Sequence, residues 1–232
     1  MAKIQANNTW EISAVPYIPV PPLVIEHCRA LSEAGVSGTL ASWTCGGYPS
    51  PNLDAASAYY FDAKPDPAKI LTTVAAKRYG PAAAADAVAA WHQFSDAFRE
   101  FPYGVSLYII PVQHGPANLL RLQPTGHAAG MILFPHDALR QWCGAYPPEA
   151  VQSQFSKLAA KWRPGLDQLR QAMKKASKRY AALDLAIAET CQNHFESVAN
   201  QVRFYILRDR LANAAAPEAA GLRRQMAALT RD

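Results

Sequence analysis

Glu11 is the residue through which chemistry enters this sequence. It closes the run Asn7-Asn8-Thr9-Trp10-Glu11, where a carboxylate stands beside two amides and an indole. Some thirty positions later, the stretch from Trp43 to Asn52 gathers a second indole, the pair Gly46-Gly47, Tyr48, and the prolines Pro49 and Pro51. Carboxylates that flank a glycosidic bond are the machinery of its hydrolysis, and an aromatic plate with a polar edge suits the face of a pyranose ring. The glycine pair lets the backbone turn sharply and come close to a ligand, and the two prolines then stiffen it. On this reading Glu11 is a catalytic or sugar-binding residue, and Asn8, Trp10, Trp43, Tyr48 and Asn52 contact substrate. A surface Glu in a loop and a Trp packed in a core are the plainer alternatives for Glu11 and Trp43. Asn52 has a second task open to it, the cap of a following helix.

Other reactive side chains lack the company that chemistry needs. Cys28, Cys45, Cys143 and Cys191 form no CxxC pair and have no His at ligand spacing. No structural zinc site and no disulfide scaffold is expected, only reduced thiols that are mostly buried. His92 and His194 fall within helical stretches, where packing or solvation is their expected state, and His114 to Asn118 reads as a polar turn. No phosphate loop, dinucleotide fingerprint or metal signature occurs, so neither a cofactor nor a metal is expected.

These residues must be positioned by elements, and the first 60 positions read as α/β. Lys3 to Asn7 is a strand candidate, and the proline-rich stretch from Val15 to Pro22 is an extended connection. Leu23 to Ala34 is an amphipathic helix ended by Gly35, and Gly38 to Trp43 is a second strand. Strand, helix, strand makes one βαβ unit with parallel pairing, so Glu11 and Trp43 would stand beyond the carboxyl ends of neighbouring strands. A helix through Tyr60 follows. Asp66 then caps another over Ala68 to Tyr79, and Gly80-Pro81 separates it from a third. In that third helix Trp91, Phe94, Phe98 and Phe101 form an apolar stripe. Residues 102–135 are irregular, with a strand candidate at Ser106 to Ile110. Helices are expected over 149–176, over 179–213 with Leu183, Ile187, Cys191, Val198, Val202 and Ile206 as core stripe, and from Pro217.

The totals describe a folded chain. Of 232 residues, 50% are hydrophobic and 18% charged, a composition able to bury a core. No apolar run approaches a membrane span, and the first residues carry no secretory h-region, so a cytoplasmic location and no membrane partner are expected. The net charge of +5 is uneven: residues 157–232 hold 14 Lys and Arg against 7 Asp and Glu, and residues 1–156 hold 9 against 11. The alternative functional reading uses that imbalance. It makes the chain a non-enzymatic helical interaction module that binds an acidic partner or nucleic acid through its basic C-terminal third. Few aromatics interleave Lys174, Lys175, Lys178 and Arg179, so that cluster reads as a solvated helix end, and nucleic acid is not the expected partner.

Three segments carry a resemblance: "NNTWEISAVPYIPVP", "GTLASWTCGGYPSPN" and "FPYGVSLYIIPVQHGPANLL" are similar to the C-terminal part of bacterial proteins of glycoside-hydrolase type. Those proteins are built on a (β/α)8 barrel with a helical extension. The resemblance implies that residues 1–62 are the last strands of a TIM-type barrel, 63–147 a helical and irregular connector, and 148–232 a C-terminal helical bundle. It implies that Glu11 matches the nucleophile, that Trp43 and Trp10 are sugar platforms, and that Asn8 and Tyr48 bond the sugar. The general acid would belong to an earlier strand outside this sequence, supplied by the missing barrel half in another chain. One carboxylate cannot perform the two-carboxylate reaction, so the chain by itself is expected to bind carbohydrate without hydrolysing it.

Overall fold

A computed structural model describes residues 1–7, 10–42, 47–109, 115, 118–127, 137–177 and 180–230, the side chains of Ile109 and Trp142 excepted. The element order among them is β1 (Ala2–Lys3), α1 (Pro21–Glu33), β2 (Thr39–Leu40), α2 (Pro51–Tyr60), α3 (Pro67–Tyr79), α4 (Pro81–Phe98), α5 (Val105–Ile109), α6 (Leu139–Trp142), α7 (Pro148–Lys175), α8 (Ala181–Leu211) and α9 (Ala216–Ala228). The strands pair in parallel, Ala2 opposite Thr39 and Lys3 opposite Leu40, so β1, α1 and β2 form the expected βαβ unit.

Local chemistry sets most helix boundaries. Pro occupies the first turn of α1, α2, α3, α4 and α9, where its missing donor costs nothing and its φ is already helical. Asp66 caps α3 by accepting from Ala68 N at 3.0 Å and Lys69 N at 3.3 Å. Gly80, at φ 101°, ends α3 and starts α4, a backbone state that a side chain resists.

The chain forms two compact units, Met1–Arg99 with Leu158–Gln192, and Glu100–Lys157 with Asn193–Asp232. The first unit holds the sheet, α1 to α4 and the adjoining parts of α7 and α8. Trp91, Phe94, Trp162, Tyr17 and Tyr79 are fully buried in it. Phe94 stacks on Trp162 with ring centres 4.2 Å apart, and Trp162 Nε1 donates to Ala188 O at 3.0 Å, so the indole is satisfied without water. Each such ring contributes about 2 to 3 kcal/mol by leaving solvent. The second unit buries Leu107, Val151, Phe155, Phe195, Val198, Val202 and Tyr205. Within it Arg208 meets Asp137 at 3.5 Å, and Thr125 N donates to Asp137 at 2.8 Å. Burial works to raise the Asp137 carboxyl, but the Thr125 bonds and Arg208 outweigh it and leave it below the usual carboxylate range.

Three expectations need correction. A TIM-type barrel closes through eight strands, whereas among the described residues the sheet has two strands of two residues each and the other elements are helices; the barrel assignment is withdrawn and the helix-dominated class with a small parallel pair stands. Val105–Ile109 is a helix instead of a strand, because a short run of β-branched and aromatic residues fits either period. The inward stripe of α8 begins at Asp184, 2% exposed, while Leu183 is 42% exposed.

Candidate functional site

The ladder between β1 and β2 continues past the strands proper. Ile4 N donates to Leu40 O at 2.9 Å and Ala6 N to Ala41 O at 2.8 Å. Asn7 N then donates to Ser42 Oγ at 3.0 Å, and Ser42 Oγ donates back to Asn7 O at 3.1 Å. The two chains are therefore tied side by side as far as Asn7 and Ser42.

One loop from that end carries Trp10 and Glu11, both half-buried in a turn; Glu11 Oε2 is withdrawn from solvent. The other carries Tyr48, also half-buried, whose ring lies 6.1 Å from that of Tyr17. The loops are joined directly: Asn7 Nδ2 donates to Tyr48 O at 2.7 Å, and Ser50 Oγ donates to Asn7 Oδ1 at 2.6 Å. Asn8 and Trp43, expected to contact substrate, lie outside the described residues.

Asn52 sits below this rim, 1% exposed. Its two amide hydrogens go to Ala6 O at 2.8 Å and Ile18 O at 2.7 Å, and its oxygen accepts from Val20 N at 3.1 Å. The side chain thus clamps β1's exit to the proline-rich connection. The cap of α2 falls to Ser50, which accepts from Leu53 N at 3.1 Å.

Beneath the same turn lies a buried ion pair that sequence reasoning did not single out. Arg78, on α3, donates through Nε to Asp184 of α8 and through Nη2 to the same carboxylate at 2.8 Å. Tyr17 and Tyr79 also donate to that carboxylate, Tyr79 at 2.7 Å. Arg78 Nη2 reaches Pro49 O at 3.3 Å, and the guanidinium lies 4.8 Å over the Tyr180 ring. Burial first, and then the neighbouring carboxylate, push both phenols far above the usual tyrosine range. A carboxylate that accepts four hydrogen bonds has no capacity left for a reacting group. The cluster holds the 47–50 turn in place. A signal for it exists in the sequence: Arg78 follows Leu71 and Val74 at the spacing of an inward stripe, and Asp184 precedes Ile187 and Cys191 in the same way.

Among the described residues no group of three His, Cys, Asp or Glu side chains could hold a metal ion, and no helix is long and apolar enough to cross a membrane. The described cysteines Cys28, Cys143 and Cys191 are free and buried. Many cations of the basic third face acids nearby: Lys161 with Asp96, Arg170 with Asp167 and Glu189, Lys175 with Asp86, Arg208 with Asp137 and Asp209. These pairs weaken the field such a surface presents.

No protein-family model matches the chain, and no curated protein or solved structure matches it. With a two-stranded sheet and no matching barrel protein, the glycoside-hydrolase resemblance is overturned. The motifs that carried it, short and rich in Pro, Gly and aromatics, mark turns in many folds.

Proposed function

We propose that the chain is a carbohydrate-binding module whose ligand lies across the carboxyl end of the β1–β2 pair. One observation carries the reading. The parallel ladder runs to Asn7 and Ser42, so the segments bearing Trp10, Glu11 and Tyr48 leave from one end. Ligands of parallel strands collect beyond their carboxyl ends. Trp10 and Tyr48 offer the apolar faces that a pyranose stacks on, each with a polar edge. Residues 7–11 and 42–50 contain a single carboxylate, Glu11; hydrolysis takes a pair, so the activity is binding. The Asn7–Tyr48 and Arg78–Pro49 bonds support the reading by fixing both loops before ligand arrives, which lowers the ordering cost of binding.

The test is a glycan array followed by titration calorimetry on the best oligosaccharide. Trp10→Ala and Tyr48→Ala, each checked by circular dichroism for a native fold, should weaken binding about tenfold, the size of one lost ring contact of ~1.4 kcal/mol. The affinity should change little with added salt. Binding to no glycan at millimolar concentration, or affinity unmoved in both folded variants, refutes the proposal.

A further inference from the structure

We propose that the groove between α1, α3 and α4 binds a small aliphatic carboxylate, and that Ser95 receives its acid group. Ser95 lines the groove and is 4% exposed, and its Oγ, withdrawn from solvent, makes no hydrogen bond. A helical hydroxyl readily settles on the carbonyl one turn back. Ser32 does so with Cys28 O at 3.0 Å, Thr72 with Ala68 O at 2.9 Å and Thr190 with Ala186 O at 2.8 Å. Ser95 does not. A buried hydroxyl without a partner costs stability, and the wall of a groove is where a bound molecule can supply that partner.

The surroundings of Ser95 select the class of ligand. The groove holds about 380 Å³ and lies within the first unit. Ile25 and Leu71, each 3% exposed, line it and suit a short branched hydrocarbon. His92 and Arg99 line it three positions before and four after Ser95, on α4 and its C-cap, so three donors share one stripe. From α1 comes Arg29, whose ion pair with Glu33 is exposed and 3.8 Å long, a kind that holds its cation weakly. The two acids of the lining are already met, Glu26 by Arg99 and Asp96 by Lys161 at 3.7 Å. A carboxylate answers the cation that remains. On binding, Ser95 turns to another staggered rotamer, gives up no hydrogen bond, and donates to the acid group. Arg29 then covers that group, and the hydrocarbon lies against Ile25 and Leu71. The site is independent of the carbohydrate reading, since Trp10, Glu11 and Tyr48 do not line the groove.

The probe is 4-methylpentanoate, titrated by calorimetry into the full chain. Two controls run beside it: 4-methylpentan-1-ol, which keeps the hydrocarbon without the charge, and N-acetylglycyl-leucine, which carries a similar acid end on a peptide. The acid should bind about tenfold more tightly than the alcohol. Ser95→Ala should weaken the acid about tenfold and yet raise the melting temperature, because it removes a hydroxyl that bonds nothing. Arg29→Gln, a change at an exposed position, should weaken the acid by a similar factor while leaving the circular dichroism native. No binding at millimolar acid, equal binding of acid and alcohol, or an affinity unmoved by Ser95→Ala overturns the proposal. So does a melting temperature that falls in Ser95→Ala, which would show a hydroxyl serving the fold. Tighter binding of N-acetylglycyl-leucine than of the acid overturns it as well, by assigning the groove to a chain terminus.

Discussion

At the scale of single residues, the first unit is organised by Arg78 and Asp184, whose side chains are 3% and 2% exposed. A buried pair of this kind contributes little net stability by itself, because desolvation offsets the attraction. Removing one member is another matter, since it strands the other charge. Arg78→Met should therefore cost about 3 to 5 kcal/mol in urea unfolding, and Arg78→Met with Asp184→Leu should recover a good part of that loss. A double-variant chain no more stable than Arg78→Met would show that the cost came from lost packing, not from a stranded carboxylate. The residues first picked from the sequence fared according to their surroundings. Asn7 and Ser42, which precede the segments bearing Trp10, Glu11 and Tyr48, are bonded to each other. Asn52 is held by Ala6, Ile18 and Val20, which no one-dimensional pattern reveals because those partners lie more than thirty positions away. Arg78 and Asp184 were hidden for a similar reason: a charge in an apolar stripe looks like an interruption until its opposite appears across the interface.

At the scale of elements, boundary chemistry was legible and sheet extent was not. Asp66 as cap, Gly80-Pro81 as stop and start, and the long helices after Pro148 all follow from side chains that act on their own backbone. Strand length depends instead on where a partner lies, so the runs read as Lys3–Asn7 and Gly38–Trp43 shrink to two paired residues each, continued by isolated bonds. Helix packing yields a prediction with a sign to decide. Gly165 lies within α7, and replacing Gly by Ala inside a helix ordinarily gains up to ~1 kcal/mol. Here a Cβ would stand 2.6 Å from Phe94 Cδ1 and 3.1 Å from Gln93 Cβ. The Phe94 ring cannot yield easily, because it is stacked on Trp162. Overpacking of this kind costs about 1 to 3 kcal/mol, so Gly165→Ala should lower the melting temperature in spite of its better propensity. A melting temperature that rises would mean that α7 shifts away from α4 without penalty.

At the scale of the whole molecule, composition correctly announced a folded chain with a core, and the βαβ start correctly announced parallel strands. The barrel did not follow, because one βαβ unit fits many architectures and only the number of further strands separates them; past β2 the described elements are all helices. The division into units also could not be read along the chain, since α7 and α8 each contribute one segment to each unit. That sharing has a thermodynamic consequence. Helix formation is cooperative along the backbone, so melting the part of α8 in one unit exposes the end of the part that belongs to the other. Buried thiols report on this separately. Cys28 and Cys191 lie in the first unit and Cys143 in the second, all three below 2% exposed. Burial raises each thiol above its ordinary value, Cys143 to about 12 with Glu149 adding to the effect, so in the native chain near neutral pH they are protonated and slow to alkylate. Pulse alkylation with N-ethylmaleimide across a urea series, read by mass spectrometry at each cysteine, should therefore give Cys28, Cys143 and Cys191 one common midpoint. If Cys143 became reactive at clearly lower urea than the other two, the second unit would unfold by itself, and continuity of α7 and α8 would not couple the units.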